Sequence, residues 1–324
     1  MLMREAEFAP DAGAQTNAVT SVATAHDVEL WLLGQPPLSR LLEFVADTAL
    51  DAAAHPRGAL IDQWRSANEY FQTLEKDQAG LANEGTHRPL DAQFAALAAE
   101  VAAHPHYSRT FSSLPTGFEM VELDKLIVYQ QHVTYSHVQR QMLQLGAAPD
   151  ASTLFRFCLP LEAPAAAVQI QRLDARRVIF RSRSLDLRYQ EAPMLGDSHL
   201  QGVENWGALA GMLGIKVGFG GNLLNAIRVG NRILLNNGYH RATTLRALGV
   251  THAPCIVQTA TCAEELAVTT KTRVSDDPGF YFESARPPML MDFFNPTLRK
   301  LIETRKREKQ IEISFEVKQQ LVCD

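Results

Sequence analysis

The turn Gly238-Tyr239-His240-Arg241 holds the residue types of this chain that are best suited to binding phosphate. Arginine carries a permanent charge on a planar fork of N–H groups that matches phosphate oxygens. Gly238 has no Cβ to keep a ligand away from the backbone. Asn236 and Asn237 precede the glycine, and the three residues together indicate a sharp turn. The segment is therefore predicted to bind an anion, phosphate above all.

Two secondary-structure elements are expected to position this turn. Ile233-Leu234-Leu235 has the composition of a buried strand and ends where the turn begins. Helical spacing starts directly afterwards, with Ala242, Leu245 and Leu248 on one face and Gly249 where a left-handed C-cap is expected. The first turn of such a helix has backbone N–H groups without internal partners and the positive end of the helix dipole. The sequence thus predicts strand, tight turn and helix.

The flanking residues extend this pattern. Gly230-Asn231 is a two-residue hairpin signal between the apolar runs 225–229 and 232–235, and Pro254-Cys255-Ile256-Val257 is a further short strand. The order hairpin, Gly-x-His-Arg turn, helix and strand resembles the ParB/sulfiredoxin superfamily, in which this turn holds the phosphates of a nucleotide. The resemblance spans about residues 121–257, and its first seven residues look like the strand that opens the domain in many members.

The resemblance implies a nucleotide site. Its predicted phosphate-binding and nucleotide-binding residues are Asn237, Gly238, Tyr239, His240, Arg241, Thr243 and Thr244, the two threonines contributing hydroxyls. His240 is expected to contact the phosphates or to act as an acid. The expected ligand is a nucleoside triphosphate, ATP or CTP, with magnesium, because clustered phosphate charge in transfer chemistry normally needs a hard cation.

The chain also departs from the family pattern. Sulfiredoxins need a cysteine where this chain has Tyr239, so reduction of cysteine sulfinic acid is not expected. Kinase-like members place a carboxylate base soon after the opening strand, whereas this chain has Tyr129-Gln130-Gln131-His132. ParB proteins continue into a helix-turn-helix DNA reader, and the residues after Val257 show no such pattern. A catalytic base must therefore come from elsewhere in the chain.

Four more residues are candidates for the same cleft. His132 and His137 follow the opening strand and could act as a general base, although a pair without a third ligand does not predict a metal site. Glu204 is a candidate catalytic carboxylate by its order in the chain. Lys216 lies in the glycine-rich segment 211–222, which is predicted to be a flexible loop that covers the turn and supplies a second cation.

Composition and charge limit the classes of function. The 324 residues are 46% hydrophobic, which is enough for a substantial core, and the formal net charge is -5. That charge disfavours general nucleic-acid binding without excluding a local basic groove. The four cysteines form no C-x-x-C pair, which indicates a reducing compartment. Neither a secretory signal nor a run of about 20 apolar residues is present, so a cytoplasmic protein without membrane contact is expected.

The expected fold class is α+β, with a ParB/sulfiredoxin-like mixed sheet domain between helical segments. The expected divisions are a loose leader at 1–25, an N-terminal helical region at 26–110, the sheet domain at 115–260 with an insertion at about 145–215, and a C-terminal helical extension at 261–324. The last helix is predicted from about Pro296. The insertion is predicted to form strands rich in arginine, which is either a solvated sheet face or a basic wall for a phosphate-bearing ligand.

Three functions follow from these patterns. The first is a nucleotide-dependent phosphotransferase or nucleoside triphosphatase that acts through the Gly-Tyr-His-Arg turn. The second is a DNA-associated nuclease or DNA-binding factor, supported by the arginine-rich strands and the basic terminal segment. The third is a binding module without catalysis, whose N-terminal helices could dock a partner protein through Trp64, Tyr70 and Phe71.

Overall fold

The structure is a computed structural model that describes residues 26–161, 166–196, 207, 209–270 and 272–322. The predicted leader at 1–25 lies outside these ranges. The strands are β1 Asp27–Leu32, β2 His87–Pro89, β3 Thr116–Glu122, β4 His132–Thr134, β5 Val168–Arg172, β6 Arg177–Ser182, β7 Leu187–Glu191, β8 Met194–Leu195, β9 Met212–Leu213, β10 Lys216–Phe219, β11 Asn225–Val229, β12 Arg232–Asn237, β13 His252–Thr259, β14 Arg299–Thr304 and β15 Lys309–Ser314.

The α-helices occur in groups before, between and after these strands, so the described residues are α+β. The helices are α1 Leu38–Thr48, α2 Arg57–Asp77, α3 Ala95–Ala103, α4 Pro105–Phe111, α5 Tyr135–Leu145, α6 Ala151–Cys158, α7 Tyr239–Ala247, α8 Ala263–Thr269, α9 Thr272–Asp276 and α10 Pro278–Phe282. The described residues form two compact units, which fall within residues 1–161 with 222–306 and within residues 162–221 with 307–324. Each unit is described by itself below.

A five-stranded mixed sheet, in the order β12-β11-β13-β3-β2, forms the centre of the first unit. The predicted hairpin at Gly230-Asn231 is confirmed, since β11 and β12 pair antiparallel with Val229 opposite Arg232. Strands β11 and β13 run parallel, and α7 crosses between β12 and β13. The predicted helix is also confirmed: it ends at Ala247, and Gly249 has a left-handed φ of 81°. These elements place the start of α7 at the end of β12.

A three-stranded sheet, β14-β1-β4, corrects two predictions. The segment from Pro296 was predicted to be a helix, but Arg299–Thr304 forms β14, which pairs antiparallel with β1. Its residues alternate, with Ile302 and Thr304 buried and Leu301 and Glu303 exposed, which is the period of a strand. The region predicted as helical from residue 26 likewise begins with a strand, β1, before its helices start.

The core of the first unit lies between the five-stranded sheet and its helices. Buried side chains of β3, β11, β12 and β13 pack with Phe155 of α6 and with Ala242 and Leu245 of α7. A second cluster joins β1 and β14 to α1 and α2, through Trp31, Val45 and Phe71 among others. Helix α5 packs against α7. Helices α5 and α7 therefore face each other beside the predicted phosphate-binding turn.

The second unit consists of small antiparallel sheets: β15-β6-β5, β10-β7 and β8-β9. The predicted insertion contains strands as expected, β5, β6 and β7 among them, and the glycine-rich segment contains β9 and β10. Three of its arginines pair with neighbouring carboxylates: Arg177 with Asp174 and Glu312, Arg183 with Glu308, and Arg188 with Asp186. Across the described ranges, no helix has both the length and the apolar character that a membrane span requires.

Candidate site at the start of helix α7

The backbone at the start of α7 forms the sharp turn at Gly238 that the sequence predicts. Packing in the core, and not the approach of a ligand, is the reason for the glycine. Gly238 is the N-cap and has a left-handed φ of 98°. A Cβ added there would lie 2.5 Å from Leu224 Cδ1, so the glycine makes room for a core leucine and not for a ligand. The amide groups of Tyr239 and His240 have no hydrogen-bond acceptor among the described residues. Two donors of the first helical turn thus remain for an anion.

Arg241 is buried, with only 7% of its surface exposed. Its Nη1 donates to the backbone oxygen of Asn222 and to the side-chain Oδ1 of the same residue, the latter at 2.6 Å. The guanidinium also lies over the Phe157 ring, 6.0 Å from its centroid. This side chain therefore holds the segment before β11 against α6 and α7, and is not the exposed phosphate fork that the sequence predicts.

The hydroxyl of Tyr239 has a structural role. It donates to the Leu235 carbonyl at 2.8 Å and accepts from the Tyr129 amide at 3.0 Å and the Gln130 amide at 3.4 Å. Burial raises the pKa of Tyr239 well above its ordinary value, so the hydroxyl stays protonated. The tyrosine joins α7 to the segment after β3, and its ring meets the Tyr129 ring edge-on, 5.5 Å between centroids.

A histidine cluster lies beside the first turn of α7. The ring of His240 meets the His137 ring edge-on, 5.0 Å between centroids, and its Nε2 lies 3.1 Å from the Thr134 amide, whose hydrogen bond it accepts. His132 Nδ1 lies 2.9 Å from Glu29 Oε2, and its ring stacks on Trp31. The structure thus brings the three candidate histidines, His132, His137 and His240, into one region, and adds the buried Glu29 to it.

The electrostatics of the cluster keep His240 neutral. Burial, followed by the neighbouring His137, lowers the pKa of His240 to about 3, and only Glu29 opposes this shift. The pKa of His137 is lowered by burial and by the charges of Arg140 and Arg241, against Asp27. Since Nε2 accepts a backbone N–H, the proton of His240 is on Nδ1. A neutral imidazole with this pKa is a poor proton donor to a phosphate near neutral pH.

The stability of the chain is expected to fall with acidification because of His240. With an unfolded pKa of about 6.5 and a folded pKa of about 3, the contribution is fully present above about pH 6.5 and is lost as the pH falls toward 3. Between pH 7 and pH 5 the free energy of unfolding is expected to fall by about 2 kcal/mol from this group.

Urea unfolding at pH 7 and at pH 5 measures this loss of stability. His240→Gln should flatten this dependence, and His106→Gln, at an exposed position, should leave it unchanged. A His240→Gln variant with the wild-type dependence would contradict the assignment.

The other predicted site residues lie in different environments. Thr243 is fully buried and its hydroxyl has no hydrogen-bond partner among the described residues, while the Thr244 hydroxyl lies 2.8 Å from the His240 carbonyl and 2.9 Å from Gln141 Oε1. The prediction that both hydroxyls face a ligand site is therefore wrong, because both residues are buried and the Thr244 hydroxyl contacts α5. Asn237 Nδ2 donates to the Leu223 carbonyl at 3.2 Å. Lys216 belongs to the second unit and pairs with Glu191 at 3.0 Å. Glu204 lies outside the described residues.

Arg140 is a cation of this region that the sequence analysis missed. It lies on α5, three residues after His137, so the two side chains share one face of that helix. Arg140 is exposed, and no carboxylate of the described residues lies within ion-pair distance of it. The i, i+3 spacing of a histidine and an arginine directly after the opening strand was the signal available in the sequence.

The residues around α7 do not form a magnesium site of their own. Glu29 is engaged by His132 and by the Thr134 hydroxyl at 3.0 Å, and Asp27 accepts from the Ser136 hydroxyl at 2.8 Å. No group of three His, Cys, Asp or Glu side chains within the described ranges could hold a metal ion. The local donor set therefore does not fit the hard, oxygen-rich coordination that magnesium prefers.

Comparison of the chain with models of known protein families, with curated proteins and with solved structures returns no match.

Proposed function

We propose that this chain binds a phosphate-bearing ligand, a nucleotide being the expected class, at the start of α7 between α7 and α5. The observation that carries the proposal is the pair of unpartnered amides of Tyr239 and His240 at the first turn of the helix. Amides in this position, at the positive end of a helix dipole, are suited to phosphate oxygens.

The charges around the turn support an anionic ligand. Arg140 provides an exposed guanidinium without a carboxylate partner in the described part of the chain, and Arg241 adds positive potential from its buried position. Both charges lower the pKa of His137. Exposed cations of this kind bind phosphate through charge-assisted hydrogen bonds. The cation that contacts the ligand is therefore expected to be Arg140 and not Arg241.

Binding without turnover is better supported than phosphotransfer. His240 is neutral and its Nε2 is engaged by the Thr134 amide, while His132 is held by Glu29 and Trp31. The segment after the opening strand offers glutamines where a carboxylate base is expected. A phosphotransferase needs a group that activates the acceptor or positions the attacking water. The proposed function is thus a nucleotide-binding module.

A thermal-shift screen of ATP, CTP, GTP and inorganic pyrophosphate, each with and without magnesium, tests the proposal. A ligand at about 100 times its Kd stabilises the folded state by about 2.7 kcal/mol. Arg140→Gln should weaken the binding about tenfold. Arg65→Gln, at an exposed arginine on α2, is the matched control and should bind as the wild type does. Loss of nucleotide on incubation would show turnover, and no stabilisation by any of the four ligands would reject the proposal.

A further inference from the structure

An open cleft lies in the first unit, with about 330 Å³ of empty space that includes the solvent at its mouth. It is bounded by the residues after β1, by residues 128–131 after β3, and by α9 and α10. Pockets for small molecules combine apolar walls with a few polar groups that fix orientation. The lining of this cleft has that composition, with apolar residues such as Leu32, Val128 and Pro288 and a few polar side chains.

Arg273 of α9 supplies the charge of the cleft. It is half-buried, and with the Gln131 amide oriented so that its oxygen faces the guanidinium, that oxygen accepts from Nη1 and Nη2, each at 2.7 Å. No carboxylate of the described residues lies within ion-pair distance of Arg273. Gln131 is itself buried. The guanidinium is thus held in place by a neutral group and keeps its full positive charge inside a concave site.

The charge of Arg273 affects the pKa of Tyr281. Burial raises the pKa of Tyr281, and the charge of Arg273 opposes the rise, so the phenol and the guanidinium lie close together on one side of the cleft. The carboxylate that acts on the same tyrosine, Asp277, accepts from the Phe280 amide at 3.2 Å and makes no ion pair with Arg273. The local charge of the cleft is therefore positive.

The remaining walls are apolar and aromatic. Leu32, Val128 and Pro288 line one part, and the rings of Tyr129 and Phe280 line another. Phe280 is 37% exposed, which places it at the surface of the cleft. The Gln35 side chain also lines the cleft and has no hydrogen-bond partner among the described residues. Flat rings, one cation and one spare amide match a flat molecule with a single anionic group.

We propose that this cleft binds a small aromatic carboxylate, with the carboxylate on Arg273 and Gln35 and the ring beside Tyr129 and Phe280. A monoanion fits one guanidinium whose other partners are neutral, whereas the doubly charged phosphate of a nucleotide would need further cations to compensate for its lost hydration. This site shares no residue with the one proposed at α7, so either proposal can fail without the other.

Titration of the full chain with benzoate and phenylacetate, followed by ligand-observed NMR, tests this inference. The neutral benzamide and the dianionic phenyl phosphate are the matched probes. We expect both acids to bind with Kd in the millimolar range or below, and both matched probes to bind at least about tenfold more weakly. Arg273→Gln should weaken binding of the acids at least about tenfold, while Arg140→Gln leaves it unchanged.

A second variant covers the case in which Arg273→Gln does not fold. Phe280→Ala removes a ring at the surface of the cleft and should weaken binding of the acids severalfold with the same thermal midpoint as the wild type. Three outcomes would overturn the inference: no binding of either acid at about 10 mM, equal binding of benzamide and benzoate, or binding unaffected by both variants.

Discussion

Asp292→Ala is expected to lower the free energy of unfolding by about 3–5 kcal/mol, because it leaves the buried Arg286 guanidinium without a counter-charge. Both side chains are fully buried, and they pair through two contacts of 2.9 and 2.5 Å. Arg286 Nε also donates to Gln78 Oε1 at 2.9 Å, and the guanidinium lies 5.0 Å from the centroid of the Phe71 ring. The pair therefore ties the segment before β14 to α2 and the residue that follows it.

The free energies of unfolding of three variants, measured with a chemical denaturant, show whether the loss in Asp292→Ala comes from the buried, unpaired charge of Arg286. Asp292→Ala should be far more costly than Glu100→Ala, which removes the exposed partner of Arg156 and should cost less than about 1 kcal/mol. The double variant Arg286→Met with Asp292→Leu should recover much of the loss, since two apolar side chains leave no buried charge. If Asp292→Ala and Glu100→Ala lower the free energy of unfolding equally, the buried pair of Arg286 and Asp292 contributes no more to stability than an exposed ion pair does.

Gly238→Ala is expected to cost about 2–4 kcal/mol of unfolding free energy, from backbone strain and a steric clash together. The φ of 98° is unfavourable for any residue with a Cβ, and the added carbon would lie 2.5 Å from Leu224 Cδ1 and 3.2 Å from Leu224 Cα. The Leu224 backbone cannot withdraw, because its amide donates to the Cys158 carbonyl and its carbonyl accepts from the Ile256 amide. Its side chain is fully buried, so Cδ1 can move away only by displacing other core atoms. The strain therefore falls on the start of α7.

Gly249→Ala is the matched control for this substitution. Gly249 has a similar φ of 81°, but a Cβ there would have no atom within 4 Å. Its replacement should cost only the backbone strain, about 1 kcal/mol. Thermal or urea unfolding of the two variants gives the difference, which is the contribution of the Leu224 contact. Equal losses would mean that packing against Leu224 is not what requires glycine at position 238.

The strand, turn and helix around Gly238 could be predicted from sequence because their signals are local. A two-residue hairpin loop, an apolar run and a glycine C-cap each act within a few residues, and the structure contains all three. The burial of Arg241 could not be predicted from such local signals. Its partner, Asn222, is 19 residues earlier in the chain, and no period or composition relates the two positions. A buried arginine and an exposed one look the same in a sequence.

The secondary structure of residues 299–304 also could not be predicted from local signals. Their density of Lys, Arg and Glu suggested a solvated helix, although Ile302 and Thr304 alternate with exposed residues. What decides between the two is β1, since six consecutive residue pairs join the strands. Likewise, the burial of Glu29 on β1 is explained by its hydrogen bonds with His132 and Thr134 of β4. Pairings of this kind are tertiary, so a pattern within one segment cannot reveal them.

The pairing of β1 with β14 also sets the order in which the chain can complete its fold. Asp27 and Thr304, which meet at one end of this pair, are 277 residues apart. During synthesis Asp27 of β1 emerges 277 residues before Thr304 of β14. Strand β4 can pair with one edge of β1 much earlier, but the other edge of this strand, which contains the apolar residues Leu30, Trp31 and Leu32, stays unpaired until β14 is made. An unpaired strand edge of this composition attracts other chains. Newly made molecules are thus most vulnerable to aggregation before the last part of the first unit leaves the ribosome.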